Sequence, residues 1–152
     1  MNEKTKNMSL SDVITESVRF GSQVYMATVS PSGMPYVTPV VVAWKDDMLW
    51  AAVGLAQAKV KNLEKNNQIS CHWNTGESLN YDGLMVWGTA QIFDDLETKR
   101  RMWEGVFDYD LTAINGGGPD EAAHACLIAI TPSRALLLRK FGVEGREVWR
   151  AG

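Results

Sequence analysis

The sequence predicts a mainly β protein, an antiparallel β-barrel with a few flanking helices. Seven short segments are rich in strand-forming residues, whereas only three segments show the helical spacing of apolar residues. The chain has 152 residues, enough for one domain with a sizeable core and too few for two. We therefore expect a single domain over residues 9–152, preceded by a polar, disordered tail over residues 1–8.

The N-terminal part of that domain is predicted to form a short amphipathic helix. Ser9 or Ser11 offers a side-chain oxygen that can cap the helix, and Gly21 supplies a stop signal. Between them, apolar residues recur at helical spacing: Leu10, Val13, Ile14 and Val18.

A three-stranded meander is expected next. Its strands are predicted over residues 23–30, 36–44 and 48–53. Turn signals at Pro31-Ser32-Gly33 and at Lys45-Asp46-Asp47 separate these strands. Pro39 has no N–H to donate to a ladder, so the second strand should have a free edge or a bulge at that position.

The stretch from Met48 to Asn66 has an unusual charge pattern. After its strand comes a turn that contains Gly54, and then a helix that begins near Ala58 with Lys59 and Lys61 in its first turn. Cations are unfavourable there, because the free N–H groups and the macrodipole of a helix start favour negative charge. Two explanations stay open. Both lysines lie in solvent at a small cost, or the helix start and a lysine hold an anion such as a phosphate.

The second half of the chain continues the β pattern. Strands are predicted over residues 68–74, 84–93, 125–131 and 134–139. The first of these places Ile69, Cys71 and Trp73 on one face. Gly88 indicates a bulge or a close backbone approach in the second, and Pro132 is expected to separate the last two.

Helix and loop signals lie between these strands. Asp94 and Asp95 favour a helix start, and the helix is predicted to continue through Leu96, Met102, Trp103 and Val106. Residues 109–121 contain three consecutive glycines followed by a proline, so we expect a loop there.

Composition and charge argue against several classes of function. The net charge of −3 gives no electrostatic case for binding nucleic acid or an anionic membrane, and no apolar stretch is long enough to span a bilayer. Cys71 and Cys126 are too few for a disulfide framework and lack metal-binding spacing. We therefore expect reduced thiols in a cytoplasmic protein without a metal site.

The remaining candidate sites have ordinary structural explanations. A single His72 on a strand is more often a hydrogen-bonded residue than a metal or haem ligand, and His124 is distant in sequence. Charges over residues 94–101 fit pairing at a helix end. The glycines at 116–118 lack the preceding strand and the following Lys-Ser/Thr of a phosphate loop. The tryptophans could line a ligand site, although packing is the usual role for most of them: Trp44, Trp50, Trp73, Trp87, Trp103 and Trp149.

The predicted elements carry an ordered set of short motifs. In chain order these are Ser32-Gly33-Met34-Pro35, Pro39-Val40, the Lys-x-x-x-Leu start of a helix at Lys59–Leu63, and Gly88-Thr89-Ala90. The set resembles the pyridoxamine 5'-phosphate oxidase-like FMN-binding split barrels. Three later segments resemble its general stress protein branch: Met102-Trp103, Gly117-Gly118-Pro119-Asp120, and residues 128–135. The resemblance covers residues 10 to about 150.

The resemblance implies a homodimer that holds FMN at the subunit interface and acts on a small molecule. Lys59 would hold the FMN phosphate, and its neighbours in the motif would lie on the phosphate side: Ala52, Val53, Gly54, Gln57 and Ala58. The preceding strand would lie along the isoalloxazine ring and offer backbone groups from Val41, Val42 and Ala43. Trp149 matches a C-terminal Trp that reaches the flavin pocket in the oxidases.

Some positions depart from the oxidase pattern. The chain has Gln57-Ala58-Lys59 where the pattern has Ser-Arg-Lys, and Val53 where it has a hydroxyl residue. Lys61 or Gln57 are candidates to replace the missing phosphate partners. The Arg-x-His substrate motif of true oxidases is also absent near the C-terminus. These departures argue against pyridoxamine phosphate oxidation.

Two classes of function remain. The first is a flavin-dependent oxidoreductase of unknown substrate, with a relative that uses a deazaflavin in place of FMN. The second is a non-catalytic stress protein that binds flavin or haem or has lost its cofactor. No catalytic side chain is assigned, because a flavin itself carries the hydride chemistry.

Overall fold

A computed structural model describes residues 5–152 of the chain. The strands are β1 (Thr5–Asn7), β2 (Gln23–Val29), β3 (Pro35–Lys45), β4 (Met48–Gly54), β5 (Gln68–Trp73), β6 (Gly83–Phe93), β7 (Ala125–Leu138) and β8 (Arg146–Arg150). The α-helices are α1 (Leu10–Phe20), α2 (Ala58–Lys65), α3 (Leu96–Trp103) and α4 (Leu111–Asn115). Short 3₁₀ turns are formed by Glu77–Leu79 and Lys140–Gly142.

Six strands close an antiparallel barrel in the described part of the chain. Neighbouring strands follow the order β7-β4-β3-β2-β5-β6, and β6 pairs back onto β7. The 14-residue β7 pairs along one edge first with β4 and then with β8, and along its other edge with β6. The short β1 extends the sheet beyond β8 through parallel pairing. The predicted mainly β barrel with flanking helices is confirmed.

Two apolar clusters stabilise this architecture. Alternate strand positions fill the barrel with large buried side chains: Met26, Leu49, Trp73, Leu84, Ile128, Ile130 and Leu137. A second cluster lies on the outside of β4 and β7. In it, residues of α3, α4 and the segment between them pack against the two strands: Met102, Trp103, Phe107 and Leu111 against Trp50 and Leu127. Three of the six tryptophans are thus buried in these clusters (Trp50, Trp73 and Trp103), and two more, Trp44 and Trp149, pack against the barrel cluster.

The predicted first helix and meander are confirmed. The Ser9 side chain accepts from the Asp12 N–H and the Asp12 side chain accepts from the Ser9 N–H, which forms a capping box at the start of α1. Asp46 and Asp47 both have positive φ in the tight turn between β3 and β4. Pro39 pairs with Tyr25 on the β2 side, but the β3–β4 ladder does not reach it. The predicted free edge at Pro39 is thus present.

Gly88 meets both expectations for a glycine inside a strand. The register of the β6–β7 ladder shifts between Trp87 and Gly88. A Cβ placed on Gly88 would lie 2.3 Å from the Thr131 carbonyl oxygen. The bulge therefore coincides with a close approach of two backbones.

The prediction that Pro132 separates two strands is wrong. β7 runs without a break through Pro132, which pairs with Gly88 at the bulge of β6. On the other edge, pairing with β4 ends at Ile130 and pairing with β8 begins at Arg134. Pro132 lies where the partner strand changes, so the ladder needs no N–H from it.

The expected loop over residues 109–121 contains a helix, so that prediction is wrong for residues 111–115. The Asp110 side chain accepts a hydrogen bond from the Ala113 N–H at 3.1 Å and caps α4, and Gly116 ends it with a φ of 72°. Leu111 is buried and ties α4 to the outer cluster. The preceding helix α3 ends at Trp103, so Val106 lies beyond it.

The predicted disordered tail needs a similar correction. Residues 1–4 lie outside the described residues, whereas Thr5–Asn7 form β1 beside β8. All three residues of β1 are exposed, because a strand on a sheet edge can be held by ladder hydrogen bonds without apolar burial. None of the helices in residues 5–152 is long and apolar enough to cross a membrane.

Candidate functional site

β3 and β4 separate at one end of the barrel. Their ladder runs from Lys45–Met48 to Val42–Ala51 and ends there. Beyond that point, the ladders of the described residues pair β3 with β2 and β4 with β7. We call this opening, between Val41 on β3 and Ala52–Gly54 on β4, the fork.

The alternation of a β ladder directs one backbone donor into the fork. The Val42 N–H donates to the Ser22 carbonyl at 2.8 Å, so it points toward the β2 side of β3. Neighbouring N–H groups point the opposite way, so the Val41 N–H points toward β4. Because the β3–β4 ladder ends at Val42, it provides no acceptor for the Val41 N–H.

Lys59 lies at the second position of α2, directly after the fork. The helix begins at Ala58, its N-cap Gln57 makes no side-chain capping bond, and its first turn has no acidic residue. Although lysine side chains are usually exposed, Lys59 is only 6% exposed. The start of α2 therefore combines free N–H groups with a lysine whose side chain is largely buried.

The Lys59 charge has no counter-ion among residues 5–152, where no carboxylate lies within 4.0 Å of its ammonium. Burial lowers the pKa of Lys59, while the nearby Cys71 opposes this shift. Burial also raises the pKa of the Cys71 thiol to about 12, so this thiol is neutral at pH 7. An anion from outside the chain would supply the missing partner.

Buried polar contacts hold α2 against the barrel. Asn62, which is 5% exposed, donates from its side chain to the Thr28 hydroxyl on β2 at 3.0 Å. Val60 and Leu63 pack into the barrel core from the same helix. These contacts fix the position of Lys59 relative to the fork.

The other residues predicted on the phosphate side differ in burial and in polarity. Val53 is buried in the barrel core, whereas Ala52 packs on the outside of the barrel. Gln57 lies close to Gly54, because a Cβ on Gly54 would lie 3.2 Å from Gln57 Nε2. Ala58 is exposed.

Lys61 is exposed on α2 and contacts a different surface. It lines a cleft of about 280 Å³ together with Leu55, Ala56 and His124. Lys59 and Lys61 thus differ sharply in burial, and Lys59 is the lysine with the unusual environment.

The predicted ring-side residues of β3 divide between two faces. Val42 is buried in the barrel core, and Ala43 packs against the outer cluster. Val41 lies on the same outward face as Ala43 by strand alternation. A flat ligand in the fork would therefore meet Val41 and Ala43 from outside the barrel.

Trp149 is not brought to this site within one chain. Gly54 pairs with Ala125 at the start of β7, whereas Trp149 pairs with Ala135 near its other end. Ten residues of extended strand separate these two β7 positions, a distance of about 33 Å. Trp149 packs instead against the barrel core beside β8.

Residues 105–110, which we call the strap, cross the outside of the fork and were assigned no site role from the sequence. The Tyr109 hydroxyl donates to the Ala52 carbonyl at 3.5 Å. The Ser22 hydroxyl donates to Asp108 Oδ2 at 3.3 Å, and the Ser22 carbonyl is the acceptor for Val42. The strap thus contacts the β4 side of the fork at Ala52 and, beyond β3, the Ser22 residue that precedes β2. The only sequence signal was an aromatic pair, Phe107 and Tyr109, inside a polar segment.

A cavity of about 290 Å³ lies along the strap. Its lining consists of Trp103, Glu104, Gly105, Tyr109, Asp110, Leu111 and Thr112. Among these described residues, two carry carboxylates and none is basic. Burial raises the pKa of Tyr109 above its usual 10.0, so its hydroxyl stays protonated at neutral pH.

The histidines and cysteines form no metal centre in the described part of the chain, where no group of three or more His, Cys, Asp or Glu converges. His72 Nδ1 lies 2.7 Å from the Trp73 carbonyl oxygen, and His124 Nε2 lies 3.2 Å from Asn115 Oδ1. Both cysteines are buried, unbridged thiols.

Comparison with protein families matches residues 13–137 to the pyridoxamine 5'-phosphate oxidase family. The sequence matches none of the curated proteins.

Solved structures with this fold include three informative examples. A protein related to general stress protein 26, from Clostridium acetobutylicum, is 18% identical, with a TM-score of 0.75 over 94% of this chain and 96% of that one. A pyridoxamine 5'-phosphate oxidase-related, FMN-binding protein from Nostoc punctiforme is 15% identical, with a TM-score of 0.66 over 94% of each chain. An F420 reductase is 21% identical, with a TM-score of 0.60 over 79% of this chain and 94% of that one. These likenesses establish the split-barrel fold.

Proposed function

The chain belongs to the pyridoxamine 5'-phosphate oxidase family, and we propose that it is an FMN-binding, flavin-dependent oxidoreductase acting on a small molecule other than pyridoxamine 5'-phosphate. The bound flavin would accept and return hydride. The residues of the chain would hold the cofactor, orient it and exclude water.

The observation that carries this proposal is the environment of Lys59. Its side chain is largely buried at a helix start, and its ammonium has no counter-ion in the described chain. A phosphate would pair with this ammonium and with the free N–H groups of Ala58 and Lys59. Gln57, which makes no capping bond, is the neighbouring side chain available to donate to a phosphate oxygen.

The fork suits the flavin ring. The Val41 N–H points into it, and the outward faces of Val41 and Ala43 offer an apolar surface beside it. A flavin ring has both an apolar face and polar edges that accept hydrogen bonds from backbone N–H groups. Val42 contributes to the site through its backbone, since its side chain fills the barrel.

The departures from the oxidase pattern concern both the substrate and the cofactor phosphate. The absence of the Arg-x-His substrate motif supports a different substrate. Val53 is buried and apolar, and Ala58 has no donor side chain, so Lys59 would bind the phosphate with fewer partners. The cavity along the strap carries two carboxylates and no basic residue among its described lining. Such a cavity disfavours a phosphorylated substrate and favours a neutral or cationic one.

A deazaflavin is the alternative cofactor, favoured by the likeness of the fold to an F420 reductase. Both cofactors are flavin-type ligands with a phosphate, so Lys59 serves either proposal. The two buried free thiols fit the cytoplasmic location that we propose.

We also propose that the protein works as a homodimer with the cofactor at the subunit interface. The outward face of β2 and β3 exposes apolar side chains, with Tyr25 47% and Val37 60% exposed. Trp149 lies about 33 Å along β7 from the fork of its own chain. A second copy packed on this face would therefore supply its own Trp149 to the flavin of the first copy.

Purification tests the proposal directly. We expect a yellow protein, or a colourless one that takes up FMN with a shift in flavin absorbance, and bleaching of that absorbance by a nicotinamide donor. A Soret band would instead indicate haem. A colourless protein that fails to take up either FMN or F420 would refute the flavin proposal.

A further inference from the structure

The strap is anchored by buried apolar residues, whereas two of its polar side chains are held by single long hydrogen bonds. Trp103 and Leu111 are buried on either side of it, and Phe107 is buried in its middle. A single hydrogen bond of 3.3 Å joins Asp108 to the Ser22 hydroxyl, and a single hydrogen bond of 3.5 Å joins the Tyr109 hydroxyl to the Ala52 carbonyl at the fork. Bonds of this length are weak, so either one can be exchanged for a bond to a ligand at small cost.

Two hydrogen-bond donors converge beside Ala52. The Val41 N–H points from β3 into the fork, and the Tyr109 hydroxyl reaches the Ala52 carbonyl from the strap. The hydroxyl is protonated at neutral pH, since burial raises the pKa of Tyr109. Two donors aimed at one region stabilise an atom that gains negative charge.

We propose that the strap lies over the bound flavin ring and that the Tyr109 hydroxyl donates a hydrogen bond to it. This inference rests on the proposed function. Tyr109 leaves the Ala52 carbonyl and joins the Val41 N–H in binding the polar edge of the ring. The donor pair binds the reduced cofactor more tightly than the oxidised one, because the ring carries more negative charge when reduced.

Tyr109→Phe tests this role, with Tyr81→Phe as the matched control. Tyr81 lies at the other end of the barrel, where its ring stacks on Phe141. The affinity of each variant for oxidised and reduced FMN is measured by flavin fluorescence, and the midpoint potential by dye equilibration. We expect Tyr109→Phe to weaken binding of reduced FMN about tenfold more than binding of oxidised FMN. For a two-electron couple, that ratio lowers the potential by about 30 mV.

Limited chymotrypsin digestion supplies a second readout that needs no turnover. Chymotrypsin cleaves after aromatic residues such as Phe107 and Tyr109, and mass spectrometry identifies the cleaved bonds. We expect FMN to protect both bonds in the wild-type chain and to protect them less in Tyr109→Phe. The melting temperature of each FMN-free variant checks that the fold is intact.

The outcomes separate the two proposals. If wild-type protein binds FMN but Tyr109→Phe matches Tyr81→Phe in both affinities, in potential and in protection, Tyr109 has no role at the flavin and only this inference fails. If wild-type protein takes up no FMN, the proposed function fails and this inference falls with it.

Discussion

Replacing Lys59 with methionine should change FMN affinity and protein stability in opposite directions. Methionine keeps much of the apolar stem and removes the charge. A charge-assisted hydrogen bond contributes about 1.5–3 kcal/mol, so we expect the Kd for FMN to rise by about 10- to 150-fold. Isothermal calorimetry or quenching of flavin fluorescence measures this change.

The FMN-free protein should respond the other way. Lys59 is 6% exposed and has no counter-ion in the described chain, so its charge is a cost in the absence of phosphate. Because the ammonium is only partly desolvated, its removal is worth at most about 1–3 kcal/mol, the cost of a fully buried, unpaired polar group. For a domain of this size, each kcal/mol raises the melting temperature by about 2–4 °C. Calorimetry of the FMN-free variant measures that rise.

The pH dependence of stability has a definite sign. The pKa of Lys59 is lower in the folded chain than its ordinary value of 10.5, because of burial. Between these two values the unfolded state binds more protons, so the stability of the FMN-free wild type rises as pH increases toward 10.5. Lys59→Met should lack this component of the rise.

Lys61→Met is the control, because it removes the same charge from an exposed position on the same helix. We expect less than about a threefold change in Kd and little change in melting temperature. Equal FMN binding by Lys59→Met and wild type, or a loss of affinity in Lys61→Met alone, would refute our assignment of the phosphate partner.

Three further changes test the fold and the assembly. Gly88→Ala should destabilise the chain by roughly 2–3 kcal/mol in urea titrations, because the new Cβ meets backbone 2.3 Å away, whereas Gly76→Ala meets no atom within 4 Å. Arg139→Met should destabilise the protein at pH 7, because this guanidinium bonds the carboxylates of three residues. One of these carboxylates is Asp82. Burial alone would raise its pKa, but hydrogen bonds from the Lys140 N–H and two arginines lower the pKa below 3.8. The difference in unfolding free energy between Arg139→Met and wild type should therefore shrink as pH falls below about 4. Val37→Glu should shift a dimer to a monomer in light scattering; an unchanged dimer would place the interface elsewhere.

Local patterns predicted those elements whose signal lies within one segment. Helix α2 begins at Ala58, as expected from the preceding turn that contains Gly54, and Gly88 marks both a bulge and a backbone contact. Pro132 misled the strand assignment, because its effect depends on which strands lie beside it. Helix α4, which Asp110 caps, was predicted as part of a loop because three glycines and a proline follow it.

The sequence by itself determined the β-barrel class and the position of the lysines at a helix start, since periodicity, turn residues and helix-end electrostatics are local properties. Only the tertiary structure distinguished buried Lys59 from exposed Lys61, because burial depends on how α2 packs against the barrel. The tertiary structure also brought Tyr109 to Ala52 across 57 residues of sequence. It placed Trp149 far from Gly54 of the same chain, because the two residues pair with opposite ends of β7.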